Sequence, residues 1–165
     1  MNSDLKNARI RPIESKDNAQ VEKLIVAVMA DFQCIGEAYS SSDPEVKSMY
    51  AAYNQPGARF YVIEHDNIIY GCGGLAALEQ GDPDVCELRK MYFYEELRGH
   101  GFGRQLLQIC IDDAKALGYK KMYLETVERM DQARKLYLGF GFKPIEHTMG
   151  HTGHSGCDNF YLKVL

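Results

Sequence analysis

An excess of charge of one sign is what this 165-residue chain lacks. Its 19 Lys and Arg stand against 23 Asp and Glu, for a net charge of −4. A nucleic-acid or anionic-membrane partner calls for a basic excess, so neither is expected. A cationic or amine partner is compatible with the weak acidic bias. No Cys-x-x-Cys pair occurs among Cys34, Cys72, Cys86, Cys110 and Cys157, which argues against a zinc ribbon or a thioredoxin-like motif. These scattered thiols, mostly in apolar runs, are expected reduced and buried, as in a cytoplasmic protein. Long apolar runs are also missing. None reaches the roughly 20 residues that span a bilayer, and residues 1–11 are polar, without the apolar core of a signal peptide. Without repeats, low-complexity tracts or Pro/Ser-rich linkers, residues 1–165 are expected to form one domain.

The pattern that is present reads as an α+β chain. Residues 8–13 are expected to be a strand. Asp17 then opens a helix carrying Val21, Leu24, Ile25, Val28 and Met29 on one face. A looser stretch at 34–42 precedes a helix over 44–53, with Pro44 in its first turn. Residues 60–64 and 68–78 pair across the turn-forming Asp66-Asn67, and 85–94 is the next strand. Leu106, Leu107, Cys110, Ile111, Ala114 and Leu117 mark a helix over 102–117 ended by Gly118. A strand at 121–127, a helix at 130–138 and strands at 142–147 and 159–164 complete the order β-α-α-β-β-β-α-β-α-β-β.

Between strand and long helix lies Arg98-Gly99-His100-Gly101-Phe102-Gly103-Arg104. Glycines at alternate positions let successive N–H groups converge on an anion, and the helix that follows adds its unpaired N–H groups and the positive end of its dipole. A P-loop would need Lys-Ser or Lys-Thr after its last glycine, and Arg104-Gln105 stands there. A Rossmann fingerprint is weakened because the third glycine comes one residue early and three strands precede it, although Glu125 lies at a suitable distance. A glycine-rich turn without a ligand remains open on the loop alone.

The combination Arg98-x-x-Gly101-x-Gly103 and Ala133-x-x-Leu136-Tyr137-x-x-x-Gly141-Phe142 resembles the two landmarks of the GNAT superfamily of acyl-CoA-dependent N-acyltransferases. The element order follows that family along nearly the whole chain. The resemblance implies one mixed, mostly antiparallel sheet flanked by helices. It also implies transfer of an acetyl group from acetyl-CoA to an amine, by direct attack in a ternary complex and without a metal.

By the same resemblance, the N–H groups of residues 99–104 hold the CoA pyrophosphate, with charge from Arg98 and Arg104; a solvent-facing salt bridge is the alternative for Arg98. Main-chain groups of Met91, Tyr92 and Phe93 pair with the pantetheine arm at a splayed, bulged strand, and one of their N–H groups polarises the thioester carbonyl. Ala133 and Tyr137 complete the cofactor side, Tyr137 as general acid for the departing thiolate. The family's asparagine is replaced by Met130, which packs.

Glu87, between Cys86 and Leu88 and sharing strand parity with Met91 and Phe93, is the candidate base or water relay. Pairing with Arg89 or Lys90 is its alternative. Glu125 is a second carboxylate, with Lys120 or Lys121 as structural partners. Phe32, Glu37, Tyr39, His147 and His151 are expected to border the acceptor. A metal on the spacing His147-x3-His151-x2-His154 is the lesser reading of that segment. The acceptor is expected to be a small or amino-acid-like amine. A protein N-terminus, a lysine, or a non-catalytic acyl-CoA-binding role are the rivals, and a homodimer would suit such a fold.

Overall fold

The computed structural model describes residues 3–165; the first two residues of the expected domain lie outside them. Seven strands form one sheet in the order β1-β2-β3-β4-β5-β7-β6. They are β1 (Arg9–Pro12), β2 (Arg59–His65), β3 (Ile68–Ala77), β4 (Val85–Phe93), β5 (Lys121–Thr126), β6 (Lys143–Ile145) and β7 (Asn159–Val164). Every neighbouring pair is antiparallel except β4–β5. That exception has a chain cause: the β4–β5 connection is a helical crossover, whereas β2–β3 turns back through Asp66 and Asn67, both at positive φ.

Helices cover both faces. On one, α1 (Asn18–Asp31) and α2 (Met49–Tyr53) pack Val21, Leu24, Ile25 and Met49 against Phe60, Val62, Ile69 and Cys72. On the other, α3 (Phe102–Ala116) and α4 (Asp131–Gly139) meet Leu75, Cys86, Leu88, Met122 and Leu124. The stripe expected on α3 is the buried one: Leu106, Leu107, Cys110, Ile111 and Ala114 all face the sheet. Gly118, at φ +92°, ends the crossover.

Two elements are shorter than the sequence pattern suggests. The helix expected over 44–53 divides into a 3-10 turn, Pro44–Ser48, and α2, because Ser48 leaves the helical region at φ −149° and ψ 57°. The tight turn brings Asp43 and Glu45 to the ammonium of Lys90. The strand expected over 142–147 is only the edge strand β6, which contains Pro144; Phe142 is instead buried against Tyr137.

Candidate functional site

The loop before α3 holds its backbone donors free. Gly99 and Gly101 adopt φ +80° and +85°, which turns the chain sharply into the helix. Among the described residues, the N–H groups of residues 99–104 have no hydrogen-bond acceptor; Arg98 N–H bonds the Glu95 carbonyl, and Gln105 N–H resumes helical pairing with Gly101. A Cβ on Gly103 would stand 3.2 Å from Leu136 Cδ2 and 3.3 Å from Phe93 Cε2, so a larger residue would make these side chains give by a few tenths of an ångström. This row of free donors fits a phosphate or pyrophosphate. Arg98 donates to the Phe93 carbonyl at 2.9 and 3.1 Å and lies over the Phe32 ring, so the salt bridge left as its alternative does not form. Arg104 lies over the Phe140 ring. His100 sits within the loop with its Nδ1 on the Leu97 carbonyl.

Beside the loop the sheet opens. Pairing of β4 with β5 runs from Val85↔Lys121 through Cys86↔Met122 to Glu87↔Tyr123 and stops there. Beyond that point the two strands line an open cleft, with Met91, Tyr92 and Leu124 on its walls. A bulge re-aims β4 at this place: Tyr92 is opposite Cys72 but Arg89 is opposite Gly74, so β4 carries one extra residue. Lys90 takes it up at φ +51°.

The bulge reverses the parity on which the side of Glu87 was expected. Met91 and Phe93 face the α3 side with Cys86 and Leu88. Glu87 lies on the opposite side, toward α1, where Tyr92 bonds Ser40 at 2.7 Å. Phe93 borders the cleft only through its packing on the glycine loop.

Tyr137 lines the cleft from α4, with its ring near those of Phe142 and Tyr161. Burial pushes its phenol well above the usual tyrosine range, so it stays protonated through neutral pH. Ala133 packs one turn before it, touching both cores. Met130 packs as expected and accepts a hydrogen bond from Thr126 on its sulfur.

Across the cleft, polar groups from β4, β5 and the β6–β7 connection converge. Ligand atoms of Glu87, Glu125 and His154 lie within 4.8 Å of one another. Glu87, 4% exposed, accepts from Arg89 Nε at 2.6 Å, the pairing that the sequence left as its alternative. Glu125 has no lysine partner among the described residues; Thr152 Oγ1 donates to its two oxygens at 2.7 and 2.6 Å. Burial pushes its pKa up and the negative charge of Glu87 adds to this, while Thr152 and His154 oppose it. His154 Nε2 pairs with Asp43 at 2.9 Å, and Lys90 Nζ binds the same carboxylate at 2.7 Å. Burial opposes the charge on Asp43, but His154 and Lys90 outweigh it and hold its pKa below the ordinary value. Glu87, Glu125 and His154 are also the residues of chemical type to hold a cation, and each already has a partner within the protein.

Five residues were expected to border the acceptor: Phe32, Glu37, Tyr39, His147 and His151. His147 and His151 are exposed, as is Glu37, while Phe32 and Tyr39 are half-buried; none of the five lines the cleft. Cys34, Ser40, His154 and Cys157 do line it. Positive φ at Gly150 and Gly153 bends the connection so that His154, the third histidine, turns inward. Gly156 then docks on the Tyr39 ring and donates to the Ala38 carbonyl. No spacing rule distinguishes these three histidines.

The profile of the acetyltransferase (GNAT) family matches residues 22–142. The uncharacterized N-acetyltransferase YjgM of Escherichia coli K12 is 34% identical over 157 residues, 94% of each chain. A GNAT-family acetyltransferase structure from Staphylococcus aureus Mu50 superposes at a TM-score of 0.84, with 20% identity, over 95% of this chain and 98% of that one. The structure of yncA from Salmonella typhimurium, solved with its cofactor acetyl-CoA, superposes at 0.73 with 20% identity, over 96% and 94% of the chains. The folds agree, and the profile and the relative that matches over nearly its full length together fix the kinship: this chain belongs to the GNAT family of acetyltransferases.

Proposed function

We propose that the protein transfers an acetyl group from acetyl-CoA to a primary amine of a small, amino-acid-like acceptor, by direct attack while both are bound. One observation carries this reading. The parting of β4 from β5 opens a cleft that has an anion cradle at one end, Tyr137 on its wall and a cluster of carboxylates on the acceptor side. The free N–H groups of residues 99–104 fit the pyrophosphate of CoA, and Arg104 adds charge nearby. Acetyl-CoA supplies an activated thioester carbonyl. The main-chain edge of Met91 and Tyr92 pairs with the extended arm, and one N–H from this edge stabilises charge on the carbonyl oxygen. Such a donor is worth on the order of 2.7–4 kcal/mol.

The amine must lose a proton before it attacks. Its nitrogen then bonds to the carbonyl carbon, and the C–S bond breaks with its electron pair on sulfur. Tyr137 donates a proton to that sulfur, and the second proton lost by nitrogen restores the phenol through water. Glu87, held by Arg89 on the acceptor side, works through water.

Free-thiol release from acetyl-CoA, measured against amino acids, amino-acid amides, polyamines and aminoglycosides, tests the reading. Release with at least one small amine is expected. Tight acetyl-CoA binding by calorimetry with no release would mark a binding module. Acetylated peptides with no acetylated small amine, by mass spectrometry, would move the acceptor to proteins.

A further inference from the structure

The charged groups that line the cleft differ in sign and in freedom. Among the described residues, its lysine and arginine lining is Arg89 and Lys90, and both are already occupied. Arg89 donates through Nε to Glu87 at 2.6 Å and through Nη2 to the Ala77 carbonyl at 3.1 Å. Lys90 Nζ is shared between Asp43 and Glu45. Arg129, on the turn after β5, does not line the cleft, and its Nε donates to the Phe32 carbonyl at 2.8 Å. Glu125 does line it, with the Thr152 hydroxyl as donor and no lysine or arginine partner. With all four carboxylates ionised, Asp43, Glu45, Glu87 and Glu125 outnumber Arg89 and Lys90 by two charges. Protonating His154 would leave an excess of one. The group is negative in either state.

We propose that the acceptor is a primary amine with no carboxylate beside it, a diamine being used best, and that Glu87 enforces this choice by keeping the Arg89 guanidinium occupied. The proposal rests on the acetyl-transfer reading above and narrows its acceptor: the carboxyl group of an amino-acid-like molecule must be absent or masked as an amide.

A carboxylate leaves water readily only for a guanidinium fork or an ammonium. Entering this cleft, it would find both cations taken and Glu87 and Glu125 at its side. Like charges brought together in a desolvated site exclude a ligand more sharply than poor fit does. A carboxamide has the same shape and brings no charge. A second ammonium gains a counter-charge, because Glu125 has none of its own. The withholding of Arg89 is a local matter. Glu87 and Arg89 stand two residues apart on β4, ahead of the bulge, and so share one face of the strand. Glu87 is thus a specificity-determining residue for the acceptor.

The test takes the carbon skeleton of the amine that gives the fastest thiol release. Three molecules are compared on it, carrying a second amine, a carboxamide or a carboxylate at the same position. Values of kcat/KM are expressed per free base, so that differences in amine basicity drop out. The diamine is expected to lead, and the carboxamide to exceed the carboxylate by about 10²-fold. Glu87→Gln frees the guanidinium, and the ratio of carboxamide to carboxylate should fall about tenfold or more. A purely catalytic or structural role for Glu87 would lower both substrates alike and leave that ratio in place. Glu87→Gln combined with Arg89→Gln removes both charges, so the ratio should return to within about threefold of wild type. A carboxylate used as well as its carboxamide, a carboxamide used better than the diamine, or a ratio unmoved by Glu87→Gln overturns the proposal and leaves acetyl transfer standing. A low ratio that persists in the double variant does the same. Failure of the wild type to release thiol with any amine overturns the transfer reading, and the proposal falls with it.

Discussion

Replacing Lys90 with Met tests how the cleft is held in shape. The Lys90 side chain is 1% exposed, and its ammonium binds Asp43 and Glu45, which are 25% and 24% exposed. Met keeps most of the stem's volume and leaves the left-handed backbone of the bulge unchanged, so the comparison isolates the charge. Breaking a buried ion pair by removing one partner typically costs about 3–5 kcal/mol. Here the carboxylates reach some water, and each keeps one other partner, His154 for Asp43 and the Tyr53 hydroxyl for Glu45. The lower end, about 3 kcal/mol, is therefore expected. For a chain of this size about 2–4 °C of Tm accompanies each kcal/mol, giving a fall of about 6–12 °C. Thermal scans and urea titrations at pH 7 measure it. Adding Asp43→Asn and Glu45→Gln to the Lys90→Met background removes the stranded charges and should restore at least half of the loss. A fall below about 2 °C, or no restoration in the triple variant, would show that the ammonium does not hold this part of the site.

Two further outcomes separate the halves of the cleft. Tyr137→Phe keeps the ring against Phe142 and Tyr161 but loses the proton donor, so turnover should fall about 10²-fold or more while calorimetry finds acetyl-CoA affinity within about twofold of wild type; unchanged turnover removes Tyr137 from proton transfer. Gly101→Ala adds a Cβ that meets nothing nearer than Gln105 Nε2 at 4.0 Å, so its cost is the left-handed backbone alone, about 1–2 kcal/mol. The fold already holds this turn, so the cost should appear as a Tm lower by about 2–8 °C, and an unaltered Tm would mean that the loop leaves this turn at no cost.

The half of the fold around the glycine loop was legible because its signals are local. The stripe on α3, the alternate glycines before it and the spacing around Tyr137 each lie within one element, and each stands where the pattern puts it. The opposite wall of the cleft depends on backbone irregularities whose positions leave no mark in the sequence. The resemblance implies a bulge in this strand, but lysine has no preference for φ +51° and nothing marks Lys90 as its place, and one residue of bulge moves Glu87 to the other face. His154 enters the site through glycine-directed bends and the docking of Gly156 on Tyr39, a long-range contact invisible to spacing. Asp43 and Lys90, 47 residues apart, meet only after α1 and β4 have packed.

The short β4–β5 ladder also has a mechanical consequence. Backbone pairing joins β1–β4 to the β5-β7-β6 half along a seam that ends at Glu87 and Tyr123. So short a seam gives little backbone resistance to prying the halves apart, and stiffness there must come from packed side chains. Cys86, Leu88, Met122 and Leu124 supply it beneath α3. The thickness of that apolar layer, more than any hydrogen bond, sets how far the jaws of the sheet can breathe.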